Sequence, residues 1–161
     1  MSIKVGDLAP DFTLVTMSSD GPSLFTLSEA LKESKVVLLF VPMAFTSVCT
    51  SQFCDVSQGL GSYEDLGAKV VGISGDSPFA QAAWAEKEGI SLSLLSDYEH
   101  EVAKSYGVAY EEFLPEKNLI MGGVPKRSAI VIGQDGKVLY SEANENPGQL
   151  PDMEQVKAAL A

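Results

Sequence analysis

The chain has little of what most catalytic sites are built from. Its 161 residues include one histidine, His100, and two cysteines, Cys49 and Cys54. Zinc usually takes four ligands, and two cysteines with one histidine at these spacings supply no recognisable set. His100 opens a polar helical segment and reads as a solvated surface residue rather than a base. The chain has no G-x-x-x-x-G-K-[ST], G-x-G-x-x-G or G-x-S-x-G segment. Phosphate-cradling loops, dinucleotide fingerprints and the serine nucleophile elbow therefore lack support. Cys-x-x-Cys is missing too, which removes the motif of ordinary dithiol–disulfide exchange. Basic charge is scarce: 11 Lys and Arg against 22 Asp and Glu leave a formal net charge of −11. That balance argues against nucleic acid or an anionic membrane as partner, since both need a basic surface. The longest apolar run, Val36 to Val41, is far shorter than the roughly 20 residues of a membrane span. Residues 1–12 show no apolar run followed by a small-residue cleavage site, so a cytoplasmic protein is expected. In a reducing compartment two closely spaced cysteines suggest catalysis, redox sensing or metal binding rather than a permanent bridge.

What is present describes one domain over residues 1–161, with 45% hydrophobic and 20% charged residues, enough to bury a core unaided. Residues 1–25 read as loop with a short strand or hairpin at Phe12–Val15 and a turn at Gly21–Pro22. Thr26–Leu27–Ser28–Glu29 fits a capping box opening a short helix to about Glu33. Val36–Val41, apolar on consecutive positions, predicts a central strand buried on both faces. A helix follows Thr46 to about Gly59, and Lys69–Ser74 is a second buried strand. Ser77 and Pro78 start a helix that stops at Gly89. Leu92–Leu95 is a short strand, and Asp97 caps a helix ending at Gly107. After a weakly patterned stretch, Ser128–Ile132 and Lys137–Ser141 flank the hairpin signal Gln134–Asp135–Gly136. A last helix runs over about 152–160. The alternation predicts an α/β domain whose mixed central β-sheet is flanked by helices on both faces.

In such a sheet, sites form outside the carboxyl ends of the strands. Cys49 falls there, in the first turn of the helix after the Val36–Val41 strand. Free N–H groups and the helix dipole at such a position favour a thiolate. The alternative is a small buried hydrophobe, as free cysteines often are. Cys54 lies five residues on, about 8–9 Å away between Cα atoms on an intact helix, beyond the roughly 7 Å limit for a disulfide. Either Cys54 belongs to the core or the helix start must unwind for the sulfurs to meet. Thr46 is a candidate helix cap or donor to the thiolate. Pro42 ends the strand or shields the thiolate. Arg127 adjoins a buried strand, where it needs a carboxylate partner or a thiolate. Trp84, Phe79 and Tyr106 sit at helical positions and read as core.

Pro42–Met43–Ala44–Phe45–Thr46–Ser47–Val48–Cys49 fits P-x-x-x-T-x-x-C, and the chain resembles the peroxiredoxins. Arg127 stands where that family's active-site arginine falls. The likeness extends to Gly6–Phe12, to Trp84–Asp97 and to the late hairpin, and so to nearly the whole chain. The resemblance implies a thioredoxin-like fold and peroxide reduction without metal or organic cofactor. It makes Cys49 the peroxidatic cysteine, with Thr46 bonding thiolate and substrate, Arg127 activating both, and Pro42 shielding the pocket. The Cys-x-x-x-x-Cys spacing is similar to the peroxiredoxin Q (bacterioferritin-comigratory) branch. There Cys54 would resolve Cys49 within one chain, and a thioredoxin or glutaredoxin-like reductant would recycle the enzyme. Parts of the middle are equally similar to the one-cysteine branch named for alkyl hydroperoxide reductase E, and the cysteine-bearing C-terminal extension of the typical two-cysteine branch is not expected. Gln52 stands where many members carry Glu. A one-cysteine peroxidase served by an external thiol, a peroxide-sensing switch and a thiol-ligated metal carrier are the alternatives. Monomer and homodimer both remain open.

Overall fold

The apolar run that begins at Val36 forms the middle of the sheet. In a computed structural model, which describes residues 1–161, this run is strand β3 (Lys35–Phe40), buried at every position after Lys35. The other strands are β1 (Thr13–Ser18), β2 (Gly21–Thr26), β4 (Ala68–Ser74), β5 (Ser93–Ser96), β6 (Arg127–Ile132) and β7 (Val138–Asn144). The helices are α1 (Leu27–Ala30), α2 (Ser47–Gln58), α3 (Leu60–Glu64), α4 (Pro78–Glu88), α5 (Glu101–Ser105) and α6 (Met153–Leu160). One seven-stranded sheet has the order β2-β1-β5-β4-β3-β6-β7. β3, β4 and β5 are parallel, as the alternating β-α order requires, and the remaining pairings are antiparallel.

Because β3 is covered on both faces, its side chains feed two cores. Val37 and Leu39 pack with Phe53, Trp84 and Val156 of α2, α4 and α6. Val36, Leu38 and Phe40 pack with Leu27, Val102 and Tyr106 on the α1 and α5 side. Gly72 permits the close fit of α2 on the sheet: a Cβ there would lie 2.5 Å from the Phe53 ring and 2.9 Å from Leu94.

Several local expectations are corrected. The first hairpin turns at residues 19–20, and Gly21–Pro22 opens β2. Proline is tolerated there because β2 is an edge strand. The capping box at Thr26 does not form. The Thr26 hydroxyl pairs with that of Thr13 (2.8 Å), and Asp11 Oδ1 accepts the Ser28 N–H (2.8 Å) instead. α1 ends at Ala30 rather than Glu33. The helix assigned to Asp97 begins at Glu101, yet Asp97 still caps it, its carboxylate accepting the N–H groups of Val102 (3.1 Å) and Ala103 (2.9 Å). His100 is not a solvated residue. Its half-buried ring is wedged against Gly75 and Gly123, and its Nδ1 is buried without a partner. Trp84 and Tyr106 are core, but Phe79 is 70% exposed.

Candidate active site

β3 delivers the chain to the carboxyl edge of the sheet, and residues 41–46 turn it into α2. Pro42 is buried in this segment, and Phe45, at φ 66, turns back to rest on Trp84 with ring centroids 6.4 Å apart. Thr46 takes the N-cap position of α2, but its hydroxyl donates to the Met43 carbonyl (3.1 Å) and caps no N–H. The first turn of α2 therefore keeps N–H groups without a side-chain acceptor, the arrangement that favours an anion. Cys49 is the third residue of α2 and is fully buried.

Arg127, the first residue of β6, is brought beside Cys49 by the antiparallel pairing of β6 with β3, in which Ser128 lies opposite Phe40. The guanidinium is 2% exposed and uses three nitrogens. Nη2 donates to Cys49 Sγ (3.1 Å), Nη1 to Gln52 Oε1 (2.8 Å) and Nε to the Pro147 carbonyl (2.8 Å). A buried cation needs a compensating charge, and no carboxylate forms an ion pair with Arg127. The Cys49 sulfur is the one acceptor among its three partners that is able to carry a full negative charge.

The structure thus brings Arg127 against Cys49, places Pro42 and Thr46 on the segment that leads into α2 with the Thr46 hydroxyl turned to Met43, and sets Cys54 apart. Cys54 is half-buried on α2 against the Cys49-side core, and its thiol donates to the Glu88 carbonyl at the end of α4 (3.4 Å). Both cysteines are free, and α2 is continuous between them. Two further groups complete the site: Gln52, noted in the sequence only as standing where many members carry Glu, and the Pro147 carbonyl, which was not identified. Gln52, three residues from Cys49, shares its helix face, so its tether to Arg127 follows from helical spacing. The Pro147 carbonyl has no sequence signal, because its role depends on how the chain returns past β7.

A buried thiol held by a guanidinium at the start of a helix, on a sheet of this order, defines a thiol-dependent oxidoreductase. The AhpC/TSA family model matches residues 5–141. A thiol peroxidase of Bacillus subtilis is 34% identical over 163 residues, covering 98% of this chain and 89% of its own. Peroxiredoxin Bcp of Escherichia coli K12 is 32% identical over 136 residues, covering 84% of this chain and 83% of its own. The crystal structure of peroxidoxin BcpB from Mycobacterium tuberculosis matches with a TM-score of 0.81 at 32% identity, over 98% of this chain and 96% of that one. The chain belongs to the AhpC/TSA family and is a peroxiredoxin of the Bcp type with the thioredoxin-like fold. It is a thiol peroxidase, an oxidoreductase that takes a peroxide as substrate and a thiol as reductant.

Proposed function

We propose that the chain reduces hydrogen peroxide and organic hydroperoxides through Cys49. The contact between Arg127 Nη2 and Cys49 Sγ carries this reading. The thiolate sulfur attacks the terminal peroxide oxygen, an S–O bond forms and the O–O bond breaks. The leaving alkoxide or hydroxide takes a proton to become alcohol or water. Cys49 is oxidised to a sulfenic acid, the reversible first rung of thiol oxidation. Negative charge moves from sulfur onto two oxygens in the transition state, where fixed donors and a cation lower the barrier most. Arg127 serves as that cation. The Thr46 hydroxyl, now turned to Met43, reaches substrate by rotation about χ1, and buried Pro42 limits access of water.

Cys54 would then attack the Cys49 sulfur, forming the S–S bond and releasing water, and a thioredoxin or glutaredoxin-like dithiol would reduce the disulfide. This step requires the first turns of α2 to unwind. A second reading, in which an external thiol resolves Cys49, draws on the intact α2 and on the bond of Cys54 to Glu88. Mass spectrometry after one equivalent of hydrogen peroxide separates the two, with wild type beside Cys54→Ser. Loss of two hydrogens in wild type, mapped to a Cys49–Cys54 bond, is expected, with a sulfenic acid in the variant. A sulfenic acid on Cys49 in both proteins would leave Cys54 as core and point to an external thiol, and no oxidation in either would overturn the Cys49 mechanism.

A further inference from the structure

Beyond the packing of Pro42, Ala44 and Phe45, the segment that presents Cys49 has little polar attachment to the rest of the molecule. Residues 42–46 make one hydrogen bond to the molecule beyond α2, from the Ala44 N–H to Asp76 Oδ2 (2.8 Å). Asp76 lies in the turn between β4 and α4, at the same carboxyl edge of the sheet as the site. Its carboxylate is braced from behind. The Ser74 hydroxyl donates to the same Oδ2 (2.7 Å), and the Ser96 hydroxyl donates to the Asp76 carbonyl (2.6 Å). Gln81 Nε2 in turn donates to Ser74 Oγ (2.9 Å) and to the Leu95 carbonyl (2.8 Å). Ser74, Gln81 and Ser96 are all buried, so this brace is shielded from water and fixed to two strands and a helix.

We propose that Asp76 is a positioning residue for the peroxide reaction. It clasps the Ala44 amide and so holds the segment between β3 and α2, with the first turn of α2, in the arrangement that places Cys49 against Arg127. The proposal rests on the assignment of Cys49 as the reacting thiol. A hydrogen bond to a charged acceptor is among the stronger single contacts. This one sits at the hinge about which α2 would have to fray. Its loss disfavours the ordered, peroxide-reactive state and favours unwinding.

Asp76→Asn and Asp76→Ala separate the clasp from general damage, because Asn keeps a carbonyl oxygen in reach of both donors and Ala keeps none. Two readouts are compared in the reduced protein. One is amide hydrogen exchange of residues 44–50 beside that of β3 and β6. The other is the rate of reaction with hydrogen peroxide by stopped-flow fluorescence of Trp84, whose Nε1 donates to Thr50 one residue past Cys49 (3.0 Å). In Asp76→Ala, exchange over 44–50 should rise by about tenfold or more while the strands stay protected, and the peroxide rate should fall by a similar factor. Asp76→Asn, which keeps a weaker neutral acceptor, should fall between wild type and Asp76→Ala in both. Unchanged exchange at 44–50, an equal rise across the strands, or Asn behaving like Ala would each overturn the clasp. Should Asp76→Ala not fold, Asp76→Ser, too short to reach Ala44, takes its place in the comparison. A wild-type chain inert to peroxide would sink the assignment of Cys49 but leave the exchange comparison to decide the role of Asp76.

Discussion

Arg127 is tied to the site by two neutral acceptors, Gln52 Oε1 and the Pro147 carbonyl, so the orientation of its guanidinium costs none of its charge. The whole cation is left for Cys49 and, in the proposed mechanism, for the oxygens of an incoming peroxide. A carboxylate at position 52 would orient Arg127 equally well but would share its charge. The interaction of two unit charges at contact distance is worth about 4 kcal/mol at an effective dielectric of 20, so even a fraction of it matters. Gln52→Glu should therefore slow the reaction of Cys49 with hydrogen peroxide at neutral pH by roughly tenfold. Stopped-flow rates at neutral pH for both proteins measure this, and equal rates would show that the tether's charge is irrelevant. Gln52 Nε2 is itself buried without a partner, a donor that a Glu side chain would lack.

At the scale of elements, the sequence was legible where one element's own pattern decides its fate. Val36–Phe40 is apolar at every position and became the buried β3, and Ser77–Pro78 opened α4 with the Ser77 hydroxyl accepting the Ala80 N–H (3.1 Å). The position of Cys49 followed, since a strand, a proline and a helix start fix it within the carboxyl edge of the sheet. It was not legible where the partner lies far along the chain. The cap of α1 comes from Asp11, the bond to the 42–46 segment from Asp76, and the third acceptor of Arg127 from Pro147. Each satisfies a backbone or guanidinium group that local sequence cannot see. Gly72 is a similar case: in sequence it interrupts a β-branched strand, whereas in the fold it is the floor on which Phe53 of α2 rests. Gly72→Ala would drive its methyl to 2.5 Å from that ring and 2.9 Å from Leu94. Overpacking of this kind destabilises by about 1–3 kcal/mol. Urea unfolding followed by circular dichroism should show a lower midpoint at unchanged slope, and an unchanged midpoint would mean that α2 is free to lift away from β4.

At the scale of the whole molecule, ionisation of its tyrosines sets an alkaline limit on stability. Burial pushes the hydroxyls of Tyr63, Tyr106, Tyr110 and Tyr140 above their ordinary value of 10.0, and nearby carboxylates add to the shift. Glu154 acts on Tyr63, Asp11 on Tyr106, and Glu142 and Asp152 on Tyr140. At Tyr110, Glu145 raises the value and Arg127 opposes it. In the unfolded chain these groups lose their protons near pH 10, before they do so in the fold. The stability they contribute is thus complete below pH 10 and is lost as pH rises toward their folded values. An excess of negative charge, already −11 at neutral pH, compounds the loss through self-repulsion. Tyr106 is the most telling of the four, because it is buried between Phe12 and Phe40 with its hydroxyl donating to the Pro10 carbonyl (2.7 Å). Tyr106→Phe should cost about 1 kcal/mol at pH 8, where the hydrogen bond is intact. Between pH 9 and 11, however, its urea midpoint should fall less steeply than that of wild type. Parallel falls in the two proteins would remove Tyr106 from the alkaline transition and leave it to the other tyrosines and the net charge.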